Sequence, residues 1–174
     1  MTLTDLYFAY GADMDLPGLR ARAGGAEVVS TARLMDFRLA FFGHDPVWDS
    51  GMETIVVQAG AETWGVLYRL LPAEWDRLDT FHGAALDGAG MYFHYPADVT
   101  TPGGVQYQVR TYRKSAQGEP RLPSSEYLKY LIAKAAAHGI PETYQDALRA
   151  MPSTLARYPV PRKAPNERRH LPLL

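Results

Sequence analysis

The chain has 174 residues, 47% hydrophobic and 21% charged, which is ordinary for a globular protein and long enough to bury a core without staples. It contains no cysteine, which removes disulfides, thiolate nucleophiles and thiolate metal sites. A formal net charge of −1 argues against nucleic acid as a main partner, and no apolar run is long enough to span a membrane, so a soluble, cytoplasmic protein is expected.

Leu6 to Tyr10 is an apolar, aromatic-rich run and predicts a buried strand. Gly11 ends it, on the expectation of a positive φ at a sharp exit. Asp15 is placed to cap a short helix over Leu16 to Ala23, with Pro17 in its first turn and Gly24 as the stop. A strand that breaks at glycine and feeds a helix aims several N–H groups at one spot, a seat for a carboxylate or phosphate; it can equally be a mere corner of the chain.

Glu27 to Phe42 reads as strand, and Gly43 to Met52, broken by Pro46 and Gly51, as loop. Thr54 to Ala59 and Thr63 to Leu71 read as two strands of a hairpin turning at Gly60-Ala61-Glu62. Within the second, Gly65 would admit the close approach of another backbone or a ligand. Pro72 opens a helix over Ala73 to Thr80, with Leu71, Trp75 and Leu78 on one side. The following stretch, 81–90, is rich in glycine and alanine, carries His82 and Asp87, and reads as a pliant loop of the kind that hosts chemistry.

Met91 to Thr100 and Gln106 to Tyr112 predict two more strands, turning at 101–104. Ser124 caps the clearest helix, whose stripe is Tyr127, Leu128, Leu131, Ile132 and Ala135 and whose stop is Gly139. Pro141 starts a last helix with Tyr144, Ala147, Leu148 and Met151 on its apolar face. Residues 1–151 are expected to form one domain, and 152–174 a proline-rich basic arm packed on it or extending from it. Strands outnumber helices without strict interleaving, the pattern of an α+β domain.

The five histidines, His44, His82, His94, His138 and His170, show no metal-ligand spacing, so no metal is expected. Nucleotide loops and serine-nucleophile elbows are also absent. His94 fits a structural role in a strand, and His138 a helix C-terminus. His82 alone has the freedom to reach into a cleft.

Four stretches together resemble the γ-glutamylcyclotransferase family (AIG2-like cyclotransferase fold). Tyr7-Phe8-Ala9-Tyr10-Gly11-Ala12-Asp13-Met14 is similar to its Y-F-A-Y-G-S-N-[LM], and Trp64-Gly65-Val66-Leu67-Tyr68 to its W-G-V-[VL]-[WY]. Leu78-Asp79-x-x-His82-Gly83, with Gly90-Met91-Tyr92, resembles its L-D-x-x-E-G…G-[ML]-Y loop. Pro123-Ser124-x-x-Tyr127 and Gly139-Ile140-Pro141-x-x-Tyr144 follow in order.

The resemblance implies a small mixed β-barrel flanked by helices. It also implies an acyl transfer without cofactor on a small-molecule substrate. The α-amino group of a γ-glutamyl amide attacks its own γ-carbonyl, giving 5-oxoproline and a free amine. By that resemblance His82 stands at the family's proton-transferring glutamate, and Ala12-Asp13 replaces Ser-Asn. The amides around Tyr10, Gly11, Ala12 and Asp13 would bind substrate or oxyanion, with Tyr92 and Tyr127 lining the pocket. The loop after His82 is about three residues longer than the pattern, and Asp87 within it is an alternative carboxylate. Asp13 is expected to orient His82 if the two meet. The competing expectation is a non-catalytic member that keeps the pocket for binding.

Overall fold

The computed structural model describes residues 5–85 and 87–163. Five strands, β1 (Leu6–Ala9), β2 (Glu27–Asp45), β3 (Ser50–Arg69), β4 (Tyr92–Thr100) and β5 (Gln106–Lys114), close into a barrel in the order β1-β3-β2-β4-β5. Neighbours are antiparallel except β1 and β5, which close the barrel in parallel with Tyr7 opposite Arg110. A 3-10 turn (Ala12–Met14) and four helices complete it: α1 (Leu16–Ala23), α2 (Pro72–His82), α3 (Ser125–Ala137) and α4 (Glu142–Arg149). This is the mixed barrel flanked by helices that the sequence motifs imply.

The core forms where the apolar strands meet. Phe8, Ile55, Val66, Leu67, Val99 and Val109 are fully buried, and Leu19, Leu78 and Leu131 bring α1, α2 and α3 onto the barrel. Most polar atoms inside it are paired, as burial demands, with Trp75 Nε1 and the Tyr144 hydroxyl as exceptions among the described residues. Thr111 Oγ1 donates to the Phe8 carbonyl at 2.7 Å, and the Tyr68 hydroxyl to the Met14 carbonyl at 3.0 Å.

Four local expectations are corrected. Gly60-Ala61-Glu62 does not turn a hairpin: β3 runs through it as one long strand against β2. The register jumps there, from Met35 opposite Glu62 to Phe37 opposite Val57. Asp36, at a φ of 63°, absorbs the jump by accepting the Gly60 amide at 2.8 Å. The predicted loop 43–52 is mostly strand, leaving only 46–49 as the turn.

Helix α2 continues to His82, which is therefore its last residue and not part of a pliant loop. Gly83, at a φ of 61°, ends the helix, and the Met91 amide pins the loop by donating to the Gly83 carbonyl at 2.8 Å. Gly11 has an extended φ of −119°, so positive φ is not its reason. A Cβ there would lie 2.5 Å from Glu53 Oε1.

The arm is tied down as far as it is described. Arg157 donates from its backbone and guanidinium to buried Asp49, and the Arg162 amide donates to the Val47 carbonyl at 2.7 Å. The remainder of the basic arm, including Arg168, Arg169 and His170, lies outside the described residues.

Candidate active site

β1 ends by delivering Tyr10 and Gly11 to the mouth of the barrel, and the 3-10 turn then folds Asp13 inward. The Met14 and Asp15 amides close that turn on the Gly11 and Ala12 carbonyls, at 3.0 and 3.1 Å. Asp13 is only 3% exposed. Burying a carboxylate is costly unless it is paired and hydrogen-bonded, and three donors converge on this one. Arg22 of α1 reaches Oδ1, while the Tyr7 hydroxyl and His82 Nε2 both reach Oδ2 at 2.7 Å.

Burial pushes the Asp13 carboxyl upward. The His82 and Arg22 charges outweigh it, with the His82 and Tyr7 hydrogen bonds, and hold it well below the usual carboxylate range. An ionised carboxylate only accepts, so His82 Nε2 must carry the proton of this bond. In a neutral ring this fixes the tautomer and puts the lone pair on Nδ1, which has no hydrogen bond among the described residues. The ring is held between aromatic neighbours, with the Tyr112 centroid at 4.5 Å and that of Tyr92 at 5.9 Å.

A small cleft of about 30 Å³ lies against this pair, bounded by Tyr7, Tyr10, Gly11, Ala12, Glu53, Tyr92 and Tyr112 as well as Asp13 and His82. Burial drives the phenol pKa values of Tyr7, Tyr10, Tyr92 and Tyr112 upward, and neighbouring carboxylates add to it. All four remain protonated donors at neutral pH. Tyr10 donates to the Tyr112 carbonyl at 2.5 Å and Tyr92 to the Glu53 carbonyl at 2.8 Å, which locks the wall.

Of the residues singled out from sequence, Tyr10, Gly11, Ala12, Asp13, His82 and Tyr92 meet at this cleft. Tyr127 stands behind it, buried and with its phenol hydrogen-bonded to Glu53. Asp87 does not arrive. It is exposed, its carboxylate accepts the Ala89 amide at 3.0 Å, and it borders a separate hollow of about 290 Å³ with Asp79, Phe93 and His94. Asp15 occupies the N-cap position of α1 without capping, because its carboxylate turns to Tyr130 and Lys134, each at 3.0 Å.

The expected open seat for an anion is also revised. The Ala12 amide points at Glu53 Oε1, 3.4 Å away. Sequence reasoning passed over Glu53 and Arg22. Arg22 lies two turns along α1 from Asp13, a spacing that allows the contact. Glu53 gives no local signal, since its place depends on how β3 pairs across the barrel.

Residues 62–148 match the model of the AIG2-like family. The γ-glutamylcyclotransferase of Homo sapiens is 31% identical over 150 residues, covering 84% of this chain and 78% of the relative. That of Mus musculus is 32% identical over 152 residues, covering 85% and 79%. A solved γ-glutamyl cyclotransferase structure superposes with a TM-score of 0.81 at 30% identity, over 89% of this chain and 92% of the other. The chain belongs to the γ-glutamylcyclotransferase family.

Proposed function

We propose that this chain is a γ-glutamylcyclotransferase, an acyltransferase that closes the γ-glutamyl group of a small amide into 5-oxoproline and frees the amine. The observation that carries the reading is the 2.7 Å bond from His82 Nε2 to Asp13, in a cleft bounded by residues 10–13. Cyclisation needs a group that takes a proton from the attacking nitrogen and returns one to the leaving nitrogen. A histidine held in a single tautomer by a buried carboxylate meets that need without a metal, and its Nδ1 is the atom that moves the proton.

The side chains of Tyr7, Tyr10, Tyr92 and Tyr112 shape the walls around the reacting groups. Asp13 touches no substrate in this scheme; it is a positioning residue. Nothing here requires a cofactor. Incubation with a panel of γ-glutamyl amides, followed by chromatographic detection of 5-oxoproline, tests the reading. Stoichiometric release of 5-oxoproline and amine from at least one member is expected. Binding without product across the panel would replace the enzyme by a binding module.

A further inference from the structure

The cleft holds two carboxylates in unequal circumstances. Asp13 is matched by the Arg22 guanidinium. Glu53, half-buried on β3, forms no ion pair among the described residues. The groups facing it are the Ala12 amide, the hydroxyl of Tyr127 from α3, Tyr10 from the end of β1, Tyr92 from β4 and Asp45 from β2. None of these is a cation. Burial pushes the Asp45 carboxyl up to about 6, and the nearby Glu53 charge contributes to that rise. The Glu53 side chain also fills the corner where the 11–13 turn would otherwise receive an anion. The charge of this cleft therefore favours a cationic group over an anionic one.

We propose that Glu53 receives the α-ammonium of the substrate and takes its first proton. The inference rests on the γ-glutamyl reading above and adds a second titrating group to it. In this cycle Glu53 starts as the carboxylate and His82 as the neutral imidazole. The ammonium gives one proton to Glu53, and the freed amine attacks the γ-carbonyl carbon, forming the ring C–N bond. The ring nitrogen, now positive, gives a second proton to His82 Nδ1, which passes it to the leaving nitrogen as the old C–N bond breaks. The proton on Glu53 then leaves with the released amine, so both groups return to their starting states.

The test compares γ-glutamyl-alanine with glutaryl-alanine, which differs only in lacking the α-amino group. Binding is titrated in a His82→Gln background, where Gln keeps a donor for Asp13 and removes the imidazole. The amino compound should bind about tenfold or more tightly than its des-amino counterpart, as a charged hydrogen bond predicts. Adding Glu53→Gln should erase that preference while keeping a side chain able to accept the Ala12 amide, so a purely structural role would not reproduce the effect. In parallel, 5-oxoproline release is measured for the otherwise native enzyme and for Glu53→Gln, with kcat expected to fall at least about 100-fold.

A retained amino preference, or unaltered turnover, in Glu53→Gln overturns the role of Glu53 while leaving cyclotransfer standing. No 5-oxoproline from the native enzyme, with an amino preference that Glu53→Gln abolishes, removes the cyclotransfer reading and keeps Glu53 as an ammonium receptor. Failure of both probes to bind, together with no 5-oxoproline from the native enzyme, overturns both.

Discussion

Asp13 and Asp45 sit in the same end of the barrel and respond to it in opposite directions. For Asp13, folding lowers the carboxyl pKa, so its ion pair stabilises the native state above the unfolded value of about 4. That contribution is lost as pH falls through the still lower native value. For Asp45, folding raises the pKa to about 6, mainly by burial. Its ionised form therefore costs stability, a cost absent below pH 4 and fully present once pH has risen past 6. Asp45→Asn keeps an oxygen for the Val47 amide, which Asp45 accepts at 2.9 Å. The variant should be more stable than the native protein at pH 7.5 by about 1–2 kcal/mol, the full shift being discounted for partial exposure. Denaturant titrations at pH 7.5 and pH 4 check this. The gain should vanish at the lower pH, and an equal gain at both would assign it to something other than ionisation.

At the level of elements, β1 is the strand on which the site depends, and β3 is the template that positions it. Gly65 of β3 lies where β1 crosses, and a Cβ there would be 2.4 Å from the Ala9 carbonyl oxygen and 2.8 Å from the Phe8 ring. Neither can yield easily, because both belong to the packed core. Gly65→Ala should destabilise by about 1–3 kcal/mol through overpacking. The displacement would reach Tyr10 and the turn that follows, so turnover should fall even below the denaturation midpoint. A change within about 0.5 kcal/mol would show that β1 and β3 have slack at this crossing.

Helix α2 illustrates what sequence could and could not supply. Its apolar side was readable from Trp75 and Leu78, and Gly83 was a usable stop signal for a helix reaching His82. The glycines and alanines beyond it nonetheless suggested an earlier melt. The long β3 was missed for a related reason. Gly60 is a fair turn signal by itself, and the bulge at Asp36 that lets β2 follow β3 past it is a property of the pair. Glu53 was illegible for the same cause, since a strand's sequence does not state what lies across a closed barrel.

The molecule as a whole assembles one site from separated parts of the chain. The 3-10 turn supplies Asp13, α1 its counter-cation, α2 the imidazole, and β3, β4 and β5 the walls. Away from it, Arg157 and Arg162 tie the described part of the arm to the β2–β3 turn and take no part in the cleft. The barrel thus fixes His82 and Asp13, 69 residues apart in sequence, at hydrogen-bond distance. Their motifs were visible separately in the sequence; their contact exists only through closure of the barrel.

A double-mutant cycle on 5-oxoproline release tests that contact as the working unit. Asp13→Asn and His82→Ala should each reduce kcat by at least about 100-fold, while each variant's folded fraction is confirmed by circular dichroism. If Asp13 acts through His82, the double variant should be little slower than His82→Ala alone, since nothing remains for the carboxylate to orient. Losses that multiply, so that the double variant falls by the product of the two single effects, would contradict a coupled pair.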